Sequence, residues 1–226
     1  MLLDELYAKE VVCPICSNKF KTSKVRRSKM RIEKRDSDLL AYYKGENPIK
    51  YSVFVCPECG YAAMENIFNK IKEKDKNIIR EKVSSKWNKR ELPLKRSIDD
   101  AIEYYKLALY CGQLIDLKRV QLGNICLRIS WLYRIKGDDE EERFLNYSLS
   151  MFEEGYYNER FSKEGFDEIT LGYLIGELYR RIGEIDKAIS WFGTVVSNPL
   201  VKQKPRIEKL AREQWYVAKE QKRAGA

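Results

Sequence analysis

Two spacings of apolar residues divide this chain. Up to Ala62 they come singly or in short runs: Val11-Val12, Phe20, Val25, Met30 and Ile32, then Tyr51-Ser52-Val53-Phe54-Val55. Met30-Arg31-Ile32 alternates as a strand does, and residues 51–55 are β-rich. Beyond Ala62 apolar residues recur every three or four positions with Gly and Pro as punctuation, which predicts helices. Ser97, with Asp100 three positions on, predicts a capped helix start ahead of Ala101-Ile102-Glu103-Tyr104-Tyr105. The five acids from Asp138 to Glu142 suit the first turn of a helix, where the backbone dipole favours negative charge. Residues 205–222, carrying Ile207, Leu210, Ala211, Trp215 and Ala218 on one face, read as a closing amphipathic helix.

Within the helical part the chain repeats itself. Ile175-Gly176-Glu177-Leu178-Tyr179 is followed by Gly183, by Ala188-Ile189-Ser190-Trp191-Phe192 and by Pro199. That sequence resembles the tetratricopeptide grammar of apolar-Gly-x-x-Tyr, a turn Gly, Ala-x-x-x-aromatic and a stop Pro. Residues 101–109 repeat its second helix and 129–137 its first, and Phe144-Leu145 stands where Ala101-Ile102 and Ala188-Ile189 stand. The offsets of 43 and 44 residues exceed the usual period of about 34, so helices or loops are lengthened. Stacks of this kind bind peptides or protein surfaces in a groove lined by first-helix residues. In register these are Arg128, Trp131 and Arg134, then Tyr173, Glu177, Arg180 and Arg181. Core packing competes as a reading for Trp131, and intrachain pairing with acids competes for the arginines.

Six cysteines change the picture of the β lobe. Four form two Cys-Pro-x-Cys pairs, Cys13-Pro14-Ile15-Cys16 and Cys56-Pro57-Glu58-Cys59, with 39 residues between them. Two intervening residues let the chain curl so that both sulfurs face one point. Gly60, directly after the second pair, supplies the positive φ such a knuckle needs. Two knuckles make a closed site of four thiolates, the donor set of structural zinc, with no position left for a reacting water. Rubredoxin-type iron uses similar knuckles, and a redox pair is the third reading; one Zn2+ is the expected cofactor. A lobe of this size buries little core, so a metal staple has work to do there. Cys111 and Cys126 fall on apolar helix faces and read as small core residues.

Charge is divided unevenly as well. Residues 1–97 hold 23 Lys and Arg against 13 Asp and Glu, whereas 98–226 hold 20 against 21. A one-sided excess of this kind points to an anionic partner. Its densest stretch lies between the knuckles, where Arg27, Lys29 and Arg31 are expected on one ribbon face with Arg26 beside them. Tyr42 and Tyr43 follow as candidate stacking groups for nucleic acid. The competing reading is a solvated edge strand, blunted by Lys and Arg against sheet-to-sheet pairing.

Other absences narrow the function classes. The chain has no histidine, which removes Ser-His-Asp and Cys-His catalysis and His-bearing zinc enzymes. No Gly-rich phosphate loop is present, and Asp36-Ser37-Asp38 reads as a turn before it reads as a carboxylate pair. An enzyme is not expected. No apolar run approaches the ~20 residues of a membrane span. Acids in Met1-Leu2-Leu3-Asp4-Glu5-Leu6 do not suit a signal peptide, so the cytoplasm is the expected location.

Taken over nearly its whole length, the chain resembles a bacterial family catalogued as a domain of unknown function, a zinc ribbon joined to tetratricopeptide-like helices. The likeness is carried by the two Cys-Pro-x-Cys knuckles with Gly60-Tyr61-Ala62-Ala63, and by Lys19-Phe20-Lys21, Lys34-Arg35-Asp36-Ser37-Asp38 and Asn47-Pro48. Trp131-Leu132-Tyr133-Arg134 and Glu177-Leu178-Tyr179-Arg180-Arg181 extend it into the helices. The resemblance implies architecture and brings no activity with it. The expected organisation is a four-cysteine zinc-ribbon lobe over 1–64, a basic helical connector over 65–97, and a TPR-like helical-repeat domain over 98–226 with a C-terminal capping helix. The fold class is mainly α. The function expected is that of a non-enzymatic adaptor whose groove binds a protein partner, with nucleic-acid binding by the basic lobe as the alternative.

Overall fold

The computed structural model describes residues 4–161 and 166–225. It is mainly α, with seven helices among the described residues and a small N-terminal β region that carries the knuckle cysteines. The chain forms two compact units that interleave in sequence. Of the described residues, the first comprises 4–35, 41–117 and 125–141, and the second 36–40, 118–124 and 142–225.

In the first unit the strands form three separate antiparallel hairpins. β1 (Leu6–Val12) pairs with β2 (Lys19–Val25), running from Leu6↔Val25 to Val12↔Lys19, and the first knuckle is the turn between them. β5 (Val53–Val55) pairs with β6 (Ala62–Met64), ending at Val55↔Ala62, and the second knuckle is that turn. β3 (Arg31–Arg35) and β4 (Ala41–Lys44) make the third hairpin, a ribbon whose β3 residues are all exposed. The core between the knuckle hairpins is aromatic: Phe68 meets Phe20, Phe54 and Tyr61 at ring distances of 6.2, 5.6 and 5.0 Å. Leu6, Val25 and Tyr51 close a second cluster, with Met30 packed on it.

Helix α1 (Glu73–Lys82) and helix α2 (Ile98–Leu114) complete this unit with the later part of α3 (Arg119–Lys136). α2 starts at the expected capping box: the Ser97 hydroxyl accepts from the Asp100 N–H, and the Asp100 carboxylate accepts from the Ser97 N–H. Its buried positions Ala101, Tyr104, Tyr105, Ala108 and Cys111 recur at helical spacing and pack on β5 and β6, while the Tyr105 hydroxyl donates to the Ile49 carbonyl at 3.0 Å. The compact units therefore run across the divisions at 64/65 and 97/98 drawn from the sequence. A helix follows the surface that its apolar face covers, and the face of α2 covers the knuckle strands.

The second unit holds most of α4 (Glu140–Asn158), with α5 (Glu168–Arg181), α6 (Ile185–Ser197) and α7 (Pro205–Ala224). α5 and α6 form an antiparallel hairpin. Gly183, at φ +84°, turns the chain between them, and a Cβ on Gly176 would stand 2.9 Å from the Phe192 ring. Glycine at 176 lets the two helices approach that closely. α7 closes over both, as the closing-helix pattern predicts.

Candidate functional site

The two knuckles are built alike. In the first, the Ser17 N–H returns to the Cys13 carbonyl and the Cys13 N–H takes the Asn18 carbonyl, both at 3.0 Å. In the second, the Gly60 N–H returns to the Cys56 carbonyl and the Cys56 N–H takes the Tyr61 carbonyl, both at 2.9 Å. The residue after each second cysteine is left-handed, Ser17 at φ +62° and Gly60 at +72°. Gly60 is required twice over, because a Cβ there would also sit 2.5 Å from the Trp87 ring. Trp87 is held in turn by its indole N–H, which donates to the Pro57 carbonyl at 2.9 Å. From α1, the Arg80 guanidinium donates to the Ile15 carbonyl of the first knuckle at 3.1 Å.

These turns bring four sulfurs together. The Sγ atoms of Cys13, Cys16, Cys56 and Cys59 all lie within 4.8 Å of one another, with Cys13–Cys59 and Cys16–Cys56 at 3.6 Å. A disulfide needs about 2.05 Å between sulfurs. Tetrahedral thiolates at ~2.3 Å from one zinc stand about 3.8 Å apart. The spacing therefore fits a shared metal ion, and all six cysteines are free of disulfides. Cys13, Cys56 and Cys59 are buried while Cys16 faces solvent, and the Ile15 N–H points at the Cys13 sulfur from 3.4 Å. Among the thiols themselves, S–H donation from Cys13 and Cys59 holds Cys56 well below the usual thiol range, and the bond to Cys56 pushes Cys13 above it. Cys56 is thus favoured as the thiolate while Cys13 and Cys59 resist ionisation, until a cation takes over the role of the shared protons. The remaining two cysteines behave as core: burial pushes Cys111 up to about 11 and Cys126 to about 12.

Of the residues assigned to a groove, Tyr173 and Glu177 are enclosed, both 0% exposed. The chain's own residues 36–40 occupy them. The Tyr173 hydroxyl donates to the Ser37 carbonyl at 2.6 Å, and the Ser37 hydroxyl donates to Glu177 at 2.5 Å. Glu177 also accepts from Arg180 at 2.8 and 2.9 Å and from Arg181 at 3.0 Å, and Asp38 lies 3.6 Å from Arg181. Asp36, Ser37 and Asp38 do form a turn, closed by Asp36 N–H to Leu40 carbonyl at 2.8 Å, with Leu39 at φ +76°. An open groove was expected at these four α5 positions; an intrachain ion network stands there, because two buried carboxylates need two nearby cations. In the first unit, Trp131 is 8% exposed with the Arg128 guanidinium 5.9 Å from its ring, and Arg134 pairs with Glu141 at 2.6 Å.

The basic stretch is arranged differently from the expected ribbon face. Arg27–Lys29 is a 3-10 turn, so the strand begins only at Arg31. Arg26 lies over the Tyr7 ring at 5.7 Å, and Lys29 pairs with Asp4, whose carboxyl that ammonium holds below the usual range. A bulge at Glu33 then resets the ribbon: Ile32 faces Tyr43, but Lys34 rather than Glu33 faces Tyr42. Cross-strand partners share a face, so Arg31, Lys34 and Lys44 gather with Tyr42 while Tyr43 turns to the other side. The Lys34 ammonium is 4.8 Å from the Tyr42 ring. Lys34 and Lys44 escaped the sequence reading because strict alternation separates Arg31 from Lys34, and nothing in the residue types announces the bulge.

No helix among the described residues is long and apolar enough to cross a membrane. A protein of Borreliella burgdorferi carrying the description "Uncharacterized protein" is 24% identical over 161 residues, which cover 63% of this chain. The chain spans only 58% of that relative's length. No solved structure matches. The match that covers the site is to a family model: it takes in residues 6–218, both knuckles and all seven helices up to Ala218, and by it the chain belongs to the family described as "Uncharacterized protein conserved in bacteria (DUF2225)".

Proposed function

We propose that this is a non-catalytic binding protein, in which one structural Zn2+ on Cys13, Cys16, Cys56 and Cys59 fixes the knuckle hairpins and the β3–β4 ribbon takes single-stranded nucleic acid. Four thiolates complete a tetrahedral shell, so the ion serves as a staple and has no open position for substrate. Six disulfide-free cysteines suit a reducing compartment, which supports the cytoplasm as its location.

The observation that carries the binding half is the bulged register, which collects Arg31, Lys34 and Lys44 around Tyr42 on one ribbon face. Three cations at strand spacing track a phosphate backbone, and an aromatic ring among them offers a base its stacking surface. The test is fluorescence anisotropy with a single-stranded oligonucleotide over a salt series. Three phosphate contacts predict a log-log slope of about −2. Arg31→Ser, Lys34→Ser and Lys44→Ser together should abolish binding and leave the metal content unchanged. Salt-independent binding, or binding indifferent to the triple change, would remove the ribbon from the proposal.

A protein partner on the helices is the second reading, an adaptor built on tetratricopeptide-like hairpins. Exposed aromatics in the second unit favour it, Tyr157 at 72% and Tyr216 at 66%. A pull-down run with and without nuclease separates the two: partners that survive nuclease and are lost with Tyr157→Ser and Tyr216→Ser belong to the helical surface.

A further inference from the structure

Arg96 is a buried cation without a carboxylate. It is 4% exposed, at the start of α2, and its guanidinium donates to the Lys50 and Val53 carbonyls at 2.9 Å and to the Thr22 hydroxyl at 2.8 Å. Tyr104 and Tyr51 lie over it at 4.8 and 5.4 Å. All of these partners are neutral. They orient the guanidinium; Asp100 acts on its charge only through space, and among the described residues the enclosed Nε–H has no acceptor and no acid forms an ion pair with it. A buried charge left in this way is costly unless an anion meets it. Burial also pushes the Arg96 pKa down, although a guanidinium remains charged at any physiological pH.

Arg96 is on the wall of a cleft of about 740 Å³ in the first unit, between β2, the second knuckle and the segment 89–94. That is the size of an ordinary small-ligand site. Five cationic side chains line it against two carboxylates, and one of those, Glu58, is already paired with Lys89 at 2.7 Å. Lys19 and Lys21, exposed on β2, have no acid partner among the described residues. The rest of the wall mixes polar Asn18 and Thr22 with apolar Phe20, Val55 and Leu94.

We infer that this cleft binds a small organic anion, whose apolar body lies against Phe20, Val55 and Leu94 and whose carboxylate or phosphate accepts from the exposed Lys19 and Lys21, held by the positive charge of the enclosed Arg96 guanidinium in the wall. Pro57 and Glu58 of the second knuckle line the site, so it rests on the folded knuckle but is independent of nucleic-acid binding by the β3–β4 ribbon. Charge-assisted donors beside apolar side chains select for a charged head on a nonpolar body.

The experiment is calorimetric titration of the full chain, metal content verified, with phenyl phosphate, with benzoate and with neutral benzyl alcohol. At least one anion should saturate with a Kd below about 1 mM, and benzyl alcohol should bind at least about ten-fold more weakly. The better anion identifies the head group as phosphate or carboxylate. Arg96→Met removes the charge behind the wall, and it should weaken the anion more than about ten-fold. Because that position is buried, a second variant with Lys19→Ser and Lys21→Ser on the exposed strand should weaken it about five-fold with the fold intact. No saturation below about 10 mM, equal binding of the alcohol, or unchanged binding in the lysine double variant overturns the inference.

Discussion

Both units bury anions, and they neutralise them from different sources. In the first, four cysteine sulfurs converge within 4.8 Å, and the cation that suits them is one the chain does not itself provide. In the second, Glu177 and Asp38 are both fully buried, and Arg180 and Arg181 from the same helix answer them. The first arrangement, on the proposed reading, makes the knuckle hairpins conditional on a metal and on thiolate chemistry. The second is complete as soon as α5 and residues 36–40 meet. On the proposed reading the short knuckle hairpins rely on such a staple beside their packing on α2, whereas α5, α6 and α7 pack closely through glycines and need only local charge matching.

Removing the metal or one ligand should separate the two units most. Cys56→Ser, or treatment with a strong chelator, is expected to unfold the knuckle hairpins, since structural zinc contributes an apparent ~10–16 kcal/mol in small peptides. Because α2 packs on β5 and β6, part of the helical circular dichroism should go with them, and the signal of α5–α7 should remain. A single transition that takes all helix at once would erase the distinction between the units.

The reciprocal change is Glu177→Leu. It leaves Arg180 and Arg181 facing a buried apolar side chain, and should destabilise the second unit by about 3–5 kcal/mol in denaturant unfolding with the metal content untouched. A loss below about 1 kcal/mol would mean the network is a surface ion pair in energetic terms.

What could be read from the residues was the local chemistry. The paired knuckles, Gly60, the capping box at Ser97 and the turn at Gly183 each follow from residue type at fixed spacing, and each stands where expected. Long-range matches were less legible. Ser17 takes the left-handed position that glycine takes in the second knuckle, and serine there carries no signal. The β1–β2 hairpin is marked only weakly by Val11-Val12, because its other large apolar residues, Leu6, Tyr7, Phe20 and Val25, are scattered among Lys, Glu, Thr and Ser. Glu177 looks solvent-facing within Glu-Leu-Tyr-Arg-Arg; its burial depends on Ser37, 140 positions earlier. The same holds for Arg96, whose partners Thr22, Lys50 and Val53 lie on three other elements of the chain.

Gly60→Ala probes the first unit more gently. The left-handed φ and the Trp87 ring both oppose a methyl group, so a loss of about 2 kcal/mol or more is expected, partly restored when Trp87→Leu makes room. Equal losses with and without the Trp87 change would assign the whole effect to backbone strain.

The smallest effect concerns pH. Burial opposes ionisation of Glu65, but Lys24 and Lys9 outweigh it and hold its carboxyl below the ordinary range. A carboxylate lowered on folding adds stability that is fully present above the unfolded value, near 4.3, and is lost as the pH falls through the lower folded value. The stability difference between the parent and Glu65→Gln should therefore hold at neutral pH and shrink toward zero below about pH 4. A difference that grows on acidification would reverse the assigned sign.

The most direct test is elemental analysis of the full chain purified without chelator, beside the Cys16→Ser and Cys59→Ser variants. One zinc per chain in the parent, with stoichiometric loss in both variants, is the expected result. A ratio near zero in the parent, or a ratio of one that survives both substitutions, would contradict a metal held by these four sulfurs.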